Sequence, residues 1–463
     1  MPTTASESAP WTLLEELAES GDAARLKEET DAMGLRDTAR ALSRLDTETQ
    51  AKVITTLDPE DAAEIVEEIT DSEAAELLAM LDPKQAASIL DAMESAGTAD
   101  VLSLLPEDTV DELLSHMDPE EAEDARLLRQ YEEDEAGGIM ITEYLAYPED
   151  YTVRQVVSDM RDHSEDYAHY SVQYVYVVDK DERLRGVLPL RDMLLTPGKE
   201  IVSSIMIKNP IAVLDHDSLD QLVDFFSDYG FLGVPVTDED SKLLGIVRRG
   251  DVMEAVGDRH QSDFLKAQGI IGGEELRTMP VMTRAKRRLA WLSINIGLNF
   301  IAASIIGIYT GTLEQVIALA IFLPVISDMS GCSGNQAVAV SMRELTLGLI
   351  RPTEFFYVWL KEGMVGMING VALGVLIACV AWLAPFGLWQ GGPALGLVVG
   401  GALCLNTLVA VLLGGTIPLL LKRFEQDPAL ASGPILTTVT DMCGFFFVLS
   451  FATALLPYLV GGE

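Results

Sequence analysis

The strongest constraint on this chain is how its charge is divided. From residue 281 onward there are nine basic and nine acidic residues, so the first 280 carry the whole net charge of −40, with 63 acidic residues against 23 basic. Beyond residue 288 the sequence turns into long apolar runs. No single core serves both parts. A self-repelling acidic surface needs water and counter-ions, whereas apolar runs of about twenty residues are long enough to span a bilayer. The chain is therefore read as multidomain, with a water-facing acidic part followed by a membrane part. Such acidity excludes nonspecific nucleic-acid binding, which needs a basic surface, and suits a protein that attracts cations.

Within the acidic part, residues 11–130 repeat at intervals of about twelve: "LDTETQAKVITTL", "LDPEDAAEIVEEI", "TDSEAAELLAML", "LDPKQAASILDAM", "LLPEDTVDELLSHM", "MDPEEAEDARLL". Each opens on Asp or a similar N-cap, often with Pro next and a carboxylate in the first turn. Apolar residues then follow at helical spacing. The pattern predicts a stack of short helices, a small α-solenoid acting as scaffold or sensing surface.

Residues 137–256 hold two units of another kind, "YVYVVDKDERLRGVLPLRDML" (Tyr174–Leu194) and "LGVPVTDEDSKLLGIVRRGDVM" (Leu232–Met253). Each is a β-rich run, an acidic turn, a short strand opening on Gly and an Asp at a helix start; Gly186 matches Gly245 and Asp192 matches Asp251. This resembles a tandem pair of α/β CBS domains. The resemblance implies a regulatory module with an adenine-nucleotide site, ATP among its occupants. Leu190-Arg191 and Arg249-Gly250 replace the usual Ser/Thr before the helix-opening Asp.

A polar connector at 257–288, compatible with a helix, ends in "TRAKRRLAW". Five spans are read beyond it, at Leu289–Tyr309, Val316–Val340, Phe355–Ala384, Ala394–Leu421 and Ile435–Leu459. Arg284, Lys286, Arg287 and Arg288 precede the first. Arg343 and Arg351 lie between the second and third, with Lys361 at the third's entry, and Lys422 and Arg423 follow the fourth. The loops "TGTLEQ" and "PFGLWQGGP" hold no Lys or Arg. All basic clusters thus fall on one side, which the positive-inside bias makes cytoplasmic. The acidic part is then cytosolic and the C-terminus outside. No basic, apolar leader opens the sequence, so no cleavable signal is expected. The four cysteines all lie in the apolar part, and the five histidines are scattered without metal spacing. No nucleophile–base pair or metal-ligand motif is present, so an enzyme is not expected.

The last span carries Asp441, a carboxylate among apolar residues. A charge near the middle of a membrane helix costs about 2.5–3.5 kcal/mol even on insertion scales. No basic residue sits in any span's interior to offset it, so Asp441 is expected to face water or a cation. Thr437, Thr438 and Gly444 share its helical face. The second span, "PVISDMSGCSGNQ" (Pro324–Gln336), crowds Asp328, Ser330, Ser333, Gly334, Asn335 and Gln336 among glycines, a pattern that lines water-filled paths. Glu362 and Asn369 add to it from the third span and Asn406 from the fourth, the two asparagines read as hydrogen bonds between helices. This lining offers oxygen, which suits hard cations. Mg²⁺ sheds water reluctantly, so a pore can recognise its hydrated form, and a two-fold dimer would bring two Asp441 carboxylates to its axis.

"GNQ", "KEGMVG" (Lys361–Gly366), "DPALASGP" (Asp427–Pro434) and "TDMCG" (Thr440–Gly444), with "YEEDEAGGIM" (Tyr131–Met140), the helical repeats and the CBS pair, resemble the MgtE family of Mg²⁺ channels over nearly the whole chain. The resemblance implies a homodimer in the bacterial plasma membrane, with a central pore and Asp441 as the ion-binding carboxylate. It also implies an acidic cytosolic sensor and a connector helix that plugs the pore when Mg²⁺ is plentiful. Pore candidates are Asp441, Asn335, Gln336, Thr437, Thr438, Gly334 and Glu362. Sensor candidates are Glu132, Glu133, Asp134, Asp238, Asp240, Asp251 and Asp263. Three stretches depart from the family pattern: Gly331-Cys332-Ser333 in the second span, Gly433-Pro434 before the last, and Gln261-Ser262-Asp263 in the connector. The readings kept open beside an Mg²⁺-gated Mg²⁺ channel are an exchanger of divalents for Na⁺ or H⁺, a CBS-regulated channel for Co²⁺, Mn²⁺ or Ni²⁺, and a membrane-anchored signalling protein.

Overall fold

The computed structural model describes residues 9–460, apart from 165–166, 168–169, 171, 268, 271–280, 384–391 and 425. Part of the 257–288 connector, His169 and most of the loop between the third and fourth expected spans lie outside the described residues. Two units are distinct, residues 1–258 and 259–463.

The first unit begins with short helices from Pro10–Ser20 to Pro119–Leu128. Their starts follow from sequence. Asp46, Thr70, Asp82 and Asp118 accept hydrogen bonds from backbone N–H groups two or three residues on, and Pro59, Pro83 and Pro119 occupy first helical positions, where a missing N–H is harmless. From Leu35–Leu42 onward each helix packs on the next but one, around a core that includes Leu42, Ile54, Leu77, Leu90 and Leu102. A polar device recurs between neighbours. Thr38 Oγ1 donates to the Thr30 carbonyl (3.3 Å), Gln50 Nε2 to Leu42 (3.1 Å) and Thr98 Oγ1 to Leu90 (3.0 Å). Each reaches eight residues back to a carbonyl in the last turn of the preceding helix, which also accepts a backbone N–H from just beyond that helix (Gly34, Leu45 and Met93).

The same unit continues into two small sheets. Strands β1 (Leu145–Pro148), β2 (Tyr174–Val178), β3 (Leu184–Pro189) and β4 (Ile207–Lys208) pair in the order β1-β2-β3-β4; β5 (Val213–Leu214), β6 (Gly233–Thr237) and β7 (Leu243–Arg248) pair as β5-β6-β7. In both, the first two strands are parallel and the next pair antiparallel. Helices Val153–Asp162 and Leu219–Asp228 each open on a capping box, Thr152/Gln155 and Ser218/Gln221. The two acidic turns meet each other, since Leu184 N donates to Ser241 O (2.9 Å) and Leu243 N to Glu182 O (3.1 Å). Gly245 is required by close approach. A Cβ there would lie 2.8 Å from both the Ile141 carbonyl and the Met140 sulfur. Gly245→Val is expected to destabilise this pair by about 1–3 kcal/mol, read as a lower thermal midpoint. Gly250→Ala, whose Cβ would meet open space, should not lower it.

The second unit is helical. Val281–Ile308 is followed by the short Thr310–Gln315, a polar helix (Leu319–Thr346), a glycine-striped helix (Phe355–Leu383), a central helix (Pro393–Arg423), the Asp441 helix (Pro428–Ala454) and Leu456–Val460. The central helix packs on the polar, glycine-striped and Asp441 helices and holds the largest share of buried positions. Backbones touch where glycines meet: a Cβ on Gly414 would lie 2.2 Å from the Gly334 carbonyl, and one on Gly374 2.6 Å from that of Gly400, the small-residue packing of membrane helices. Among the described residues four helical stretches are long and apolar enough to cross a bilayer: Arg284–Ile308, Phe355–Leu383, Pro393–Arg423 and Gly433–Ala454. The polar helix, 28 residues long, is not one of them, although the sequence suggests a second span there. Its Ser, Gly, Asp, Asn and Gln residues lower its apolarity.

Candidate functional site

Asp441 lies at the junction of the polar and Asp441 helices, buried (8% exposed) inside the apolar unit. Its Oδ1 accepts a hydrogen bond from Ser327 Oγ of the polar helix. Among the described residues no Lys or Arg pairs with it. One turn earlier, Thr437 Oγ1 donates to Gly433 O (2.9 Å) and Thr438 Oγ1 to Pro434 O (2.8 Å). With their protons committed, these hydroxyls present lone pairs outward. The water shell of a cation, whose protons point away from the ion, needs acceptors of this kind.

The polar helix has two stripes. Ile326, Ser330, Ser333, Gly334 and Ala337 are buried, whereas Asp328, Cys332, Asn335 and Gln336 form an exposed polar stripe at i, i+4, i+7 and i+8. Gly334 packs tightly, its would-be Cβ 2.9 Å from Leu436 of the Asp441 helix. Glu362 is not brought to Asp441. Its stem packs on Gly415, nine residues beyond Asn406, whereas Gly444, three residues after Asp441, packs on Asn406 itself. At 1.5 Å per residue that is about 13 Å along the central helix.

The sensor candidates scatter. Asp238 accepts from Lys242 N of its own turn (2.8 Å), and Asp240, Glu132 and Asp134 are exposed. Glu133 belongs to an acidic group that sequence reading missed. Asp71, partly stripped of water by surrounding protein, has its carboxyl pushed up, with Glu133, Asp258 and Glu254 adding repulsion. Asp100 is pushed up to about 7 by burial, with Asp71 and Glu133 adding to it. In the second unit burial raises Asp263, and the carboxylate of Asp427 adds to the rise. Asp427 caps the Asp441 helix and pairs with Lys266 at 3.3 Å. Among the described residues no three His, Cys, Asp or Glu side chains converge as a metal cage.

Asp251 has a different partner. Arg248 Nε donates to both its oxygens (3.1 and 2.8 Å), while Nη1 and Nη2 donate to the two oxygens of Glu94 (2.7 and 2.6 Å). Beside this clamp Glu143 accepts from Ser95 N (2.7 Å) and Ser95 Oγ (2.9 Å), holding the start of helix Ser95–Ser103 to the segment before β1. Arg248→Ala would leave two half-buried carboxylates without their cation. It should destabilise the first unit by about 1–3 kcal/mol, between the values for exposed and buried pairs, measured by denaturation of the purified chain. A cleft of about 480 Å³ adjoins the clamp, lined by Tyr174, Gly233, Arg248, Arg249 and Asp251 among others.

An acidic helical stack, a CBS pair and apolar helices that bury Asp441 define a membrane protein joined to an acidic part. The family profile described as "divalent cation transporter" matches residues 323–451, the MgtE intracellular N domain 33–134, and the CBS domain 136–196 and 202–258. A magnesium transporter MgtE of Enterococcus faecalis is 33% identical over 74% of this chain and 73% of its own length; that of Thermus thermophilus is 34% identical over 73% and 74%. The chain belongs to the MgtE family of magnesium transporters. Two solved structures are similar to its first half: the soluble part of a magnesium transporter (28% identity, TM-score 0.49, 54% of this chain and 98% of that one) and the cytosolic domain of the Mg²⁺ channel MgtE in complex with ATP (32%, 0.48, 53% and 99%).

Proposed function

We propose that the protein is a magnesium-selective influx channel that closes as cytosolic Mg²⁺ binds its acidic part. One observation carries the reading: Asp441 lies buried in an apolar helical unit with a serine hydroxyl for company and no cation partner among the described residues. A carboxylate so placed is stabilised by a permeating cation. In this reading the polar helix is a fifth span, its exposed Asp328–Asn335–Gln336 stripe facing water. Two copies pair so that two Asp441 carboxylates share one path, and the remaining apolar faces meet lipid. The basic residues at 284–288 and 422–423 favour the cytosolic side for the acidic part. Influx needs no coupled ion, since a divalent charge crossing about 100 mV releases about 4.6 kcal/mol, twice the single-charge value.

Gating follows from the acid groups. Asp71, Asp100, Glu133, Glu254 and Asp258 repel when bare, and divalents held through their water shells relieve that repulsion. This weak, hydrated mode suits Mg²⁺ and needs no tight cage. Asp263 and Asp427, near each other at the N-cap of the Asp441 helix, are a second place where an added cation favours one arrangement. ATP at the CBS cleft is a further regulatory ligand in this reading, with Tyr174 offering an aromatic face and Arg249 an exposed cation. The test is electrical recording from liposomes holding the full chain. Steady Mg²⁺ currents that fall as Mg²⁺ rises on the side of the acidic part are expected, and flux that strictly requires opposing Na⁺ or H⁺ would replace the channel with an exchanger.

A further inference from the structure

A polar layer beside Asp441 is unused by the site described so far. Asn406, on the central helix, is fully buried, and among the described residues neither its Nδ2 nor its Oδ1 has a hydrogen-bond partner; nor do buried Ser330 Oγ and Thr407 Oγ1. Gly334 of the polar helix packs on the Ala410 carbonyl and against Gly414, and Ser341 Oγ donates to Gly415 O (2.8 Å), so the polar and central helices run parallel. The Asp441 helix runs the other way, Leu436 meeting Gly334 and Gly444 meeting Ile326. A Cβ on Gly444 would fall 2.7 Å from Asn406 Nδ2 and 3.5 Å from Ile326, so Asn406 is level with Ile326, and Ser330 lies about one turn further along. Asp441, bonded to Ser327, comes between these two levels. The orphaned groups therefore flank the carboxylate.

An unpaired amide in an apolar bundle is costly. This one exposes donors and acceptors alike, which decides what satisfies it. A cation would answer the oxygens and leave the N–H groups bare, whereas water donates and accepts. We propose that Asn406 and Ser330 hold bound water on either side of the level of Asp441, and that these polar groups are the rear wall of its site. This wall orients the carboxylate and sets the preference for a hydrated divalent ion over a monovalent one. Asn406 is then a positioning residue, acting through Asp441 without touching the ion. The inference rests on reading Asp441 as the ion-binding carboxylate.

The test uses the full chain in liposomes and reads Mg²⁺ flux, Mg²⁺-over-Na⁺ preference and thermal midpoint. Asn406→Leu keeps the branched shape and removes the amide. Its midpoint should hold or rise, while Mg²⁺ flux falls about tenfold to a hundredfold, as for outer partners of metal sites, and the ion preference drops with it. Asn406→Ser, which restores a donor and an acceptor, should recover part of the preference. Ser330→Ala, removing one atom, should act in the same direction, and the double variant should be no worse than the poorer single, as coupled groups require. Unchanged flux and preference in a folded Asn406→Leu would overturn the proposal. If that variant does not fold, unchanged preference in Ser330→Ala would overturn it. Asp441→Ala run alongside separates the two failures: an active Asp441→Ala removes the channel reading itself, whereas an inactive one beside a normal Asn406→Leu removes the water layer alone.

Discussion

Asp441→Ala is expected to abolish divalent flux in a protein that still folds, inserts and assembles as the wild type does. Removing a carboxylate from an apolar unit should not cost stability, because its burial is itself unfavourable. The one bond lost is that from Ser327, whose hydroxyl can turn to a helical carbonyl as Ser333 Oγ does toward Met329 O. Flux depends on it for another reason. Without the negative charge, little beside Thr437 and Thr438 offsets the cost of bringing a hydrated divalent ion out of bulk water into a low-dielectric path. Asp441→Asn separates charge from hydrogen bonding. The amide can still accept from Ser327, yet transport should remain absent, because attraction to the cation and not the serine contact is what the site supplies. Uptake of Mg²⁺ into liposomes, with the amount of inserted protein measured in parallel, checks both. Normal uptake by either variant would take Asp441 out of the conducting path.

Asp71→Asn/Asp100→Asn should flatten the Mg²⁺ dependence of closing. The Asp100 carboxyl is pushed up to about 7 from an ordinary 3.8, by burial first and then by Asp71 and Glu133. The sign follows from linkage. A raised folded pKa means that the folded arrangement binds its proton more tightly than the unfolded chain does. The stability this confers is fully present below about pH 4 and is lost as pH rises through about 7. Above that the acid group works against its own packing. The double variant removes the effect, so at pH 8 its thermal midpoint should exceed that of the wild type, and near pH 4 the two should converge. In the wild type, millimolar Mg²⁺ at pH 8 should recover much of the difference by mass action. In the variant it should add little. NaCl at matched ionic strength is the control for screening. A variant whose midpoint and current keep the wild-type response to Mg²⁺ would move the sensor elsewhere.

What the sequence reveals and what it hides divide by distance along the chain. N-caps such as Asp46 and Asp118, the capping box at Thr152, the paired glycines Gly186 and Gly245 and the apolar runs are local signals, and each takes its expected structural place. The polar helix is the instructive exception. The residues that suggest a water-lined path, Asp328, Ser330, Asn335 and Gln336, are also those that keep it below the apolarity of its neighbours. The acidic group was not legible, because Asp71 and Asp100 sit on separate helices and only packing makes them neighbours. In the linear sequence they are two acids among many. Asp251 had a readable clue, Arg248 three residues earlier, but Glu94, the other half of the clamp, lies 154 residues from Arg248. Asn406 stands out in the sequence as a polar residue in an apolar span and reads as a hydrogen bond between helices, whereas in the structure its amide packs on Gly444 and has no hydrogen-bond partner among the described residues.

The eight-residue ties of the helical stack bear on what that stack can report. Helices Asp71–Leu78 and Ser95–Ser103, which bear Asp71 and Asp100, pack directly on each other, so the charge an ion neutralises is read across a single contact between rungs. Helices Pro10–Ser20 and Ala23–Met33 pack on each other and on Leu35–Leu42, the first of them also on Thr47–Thr56, and reach that contact through those neighbours. They act as ballast: shortening the stack from its N-terminal end should make it easier to melt, while the concentration at which the Asp71–Asp100 contact responds stays where it was.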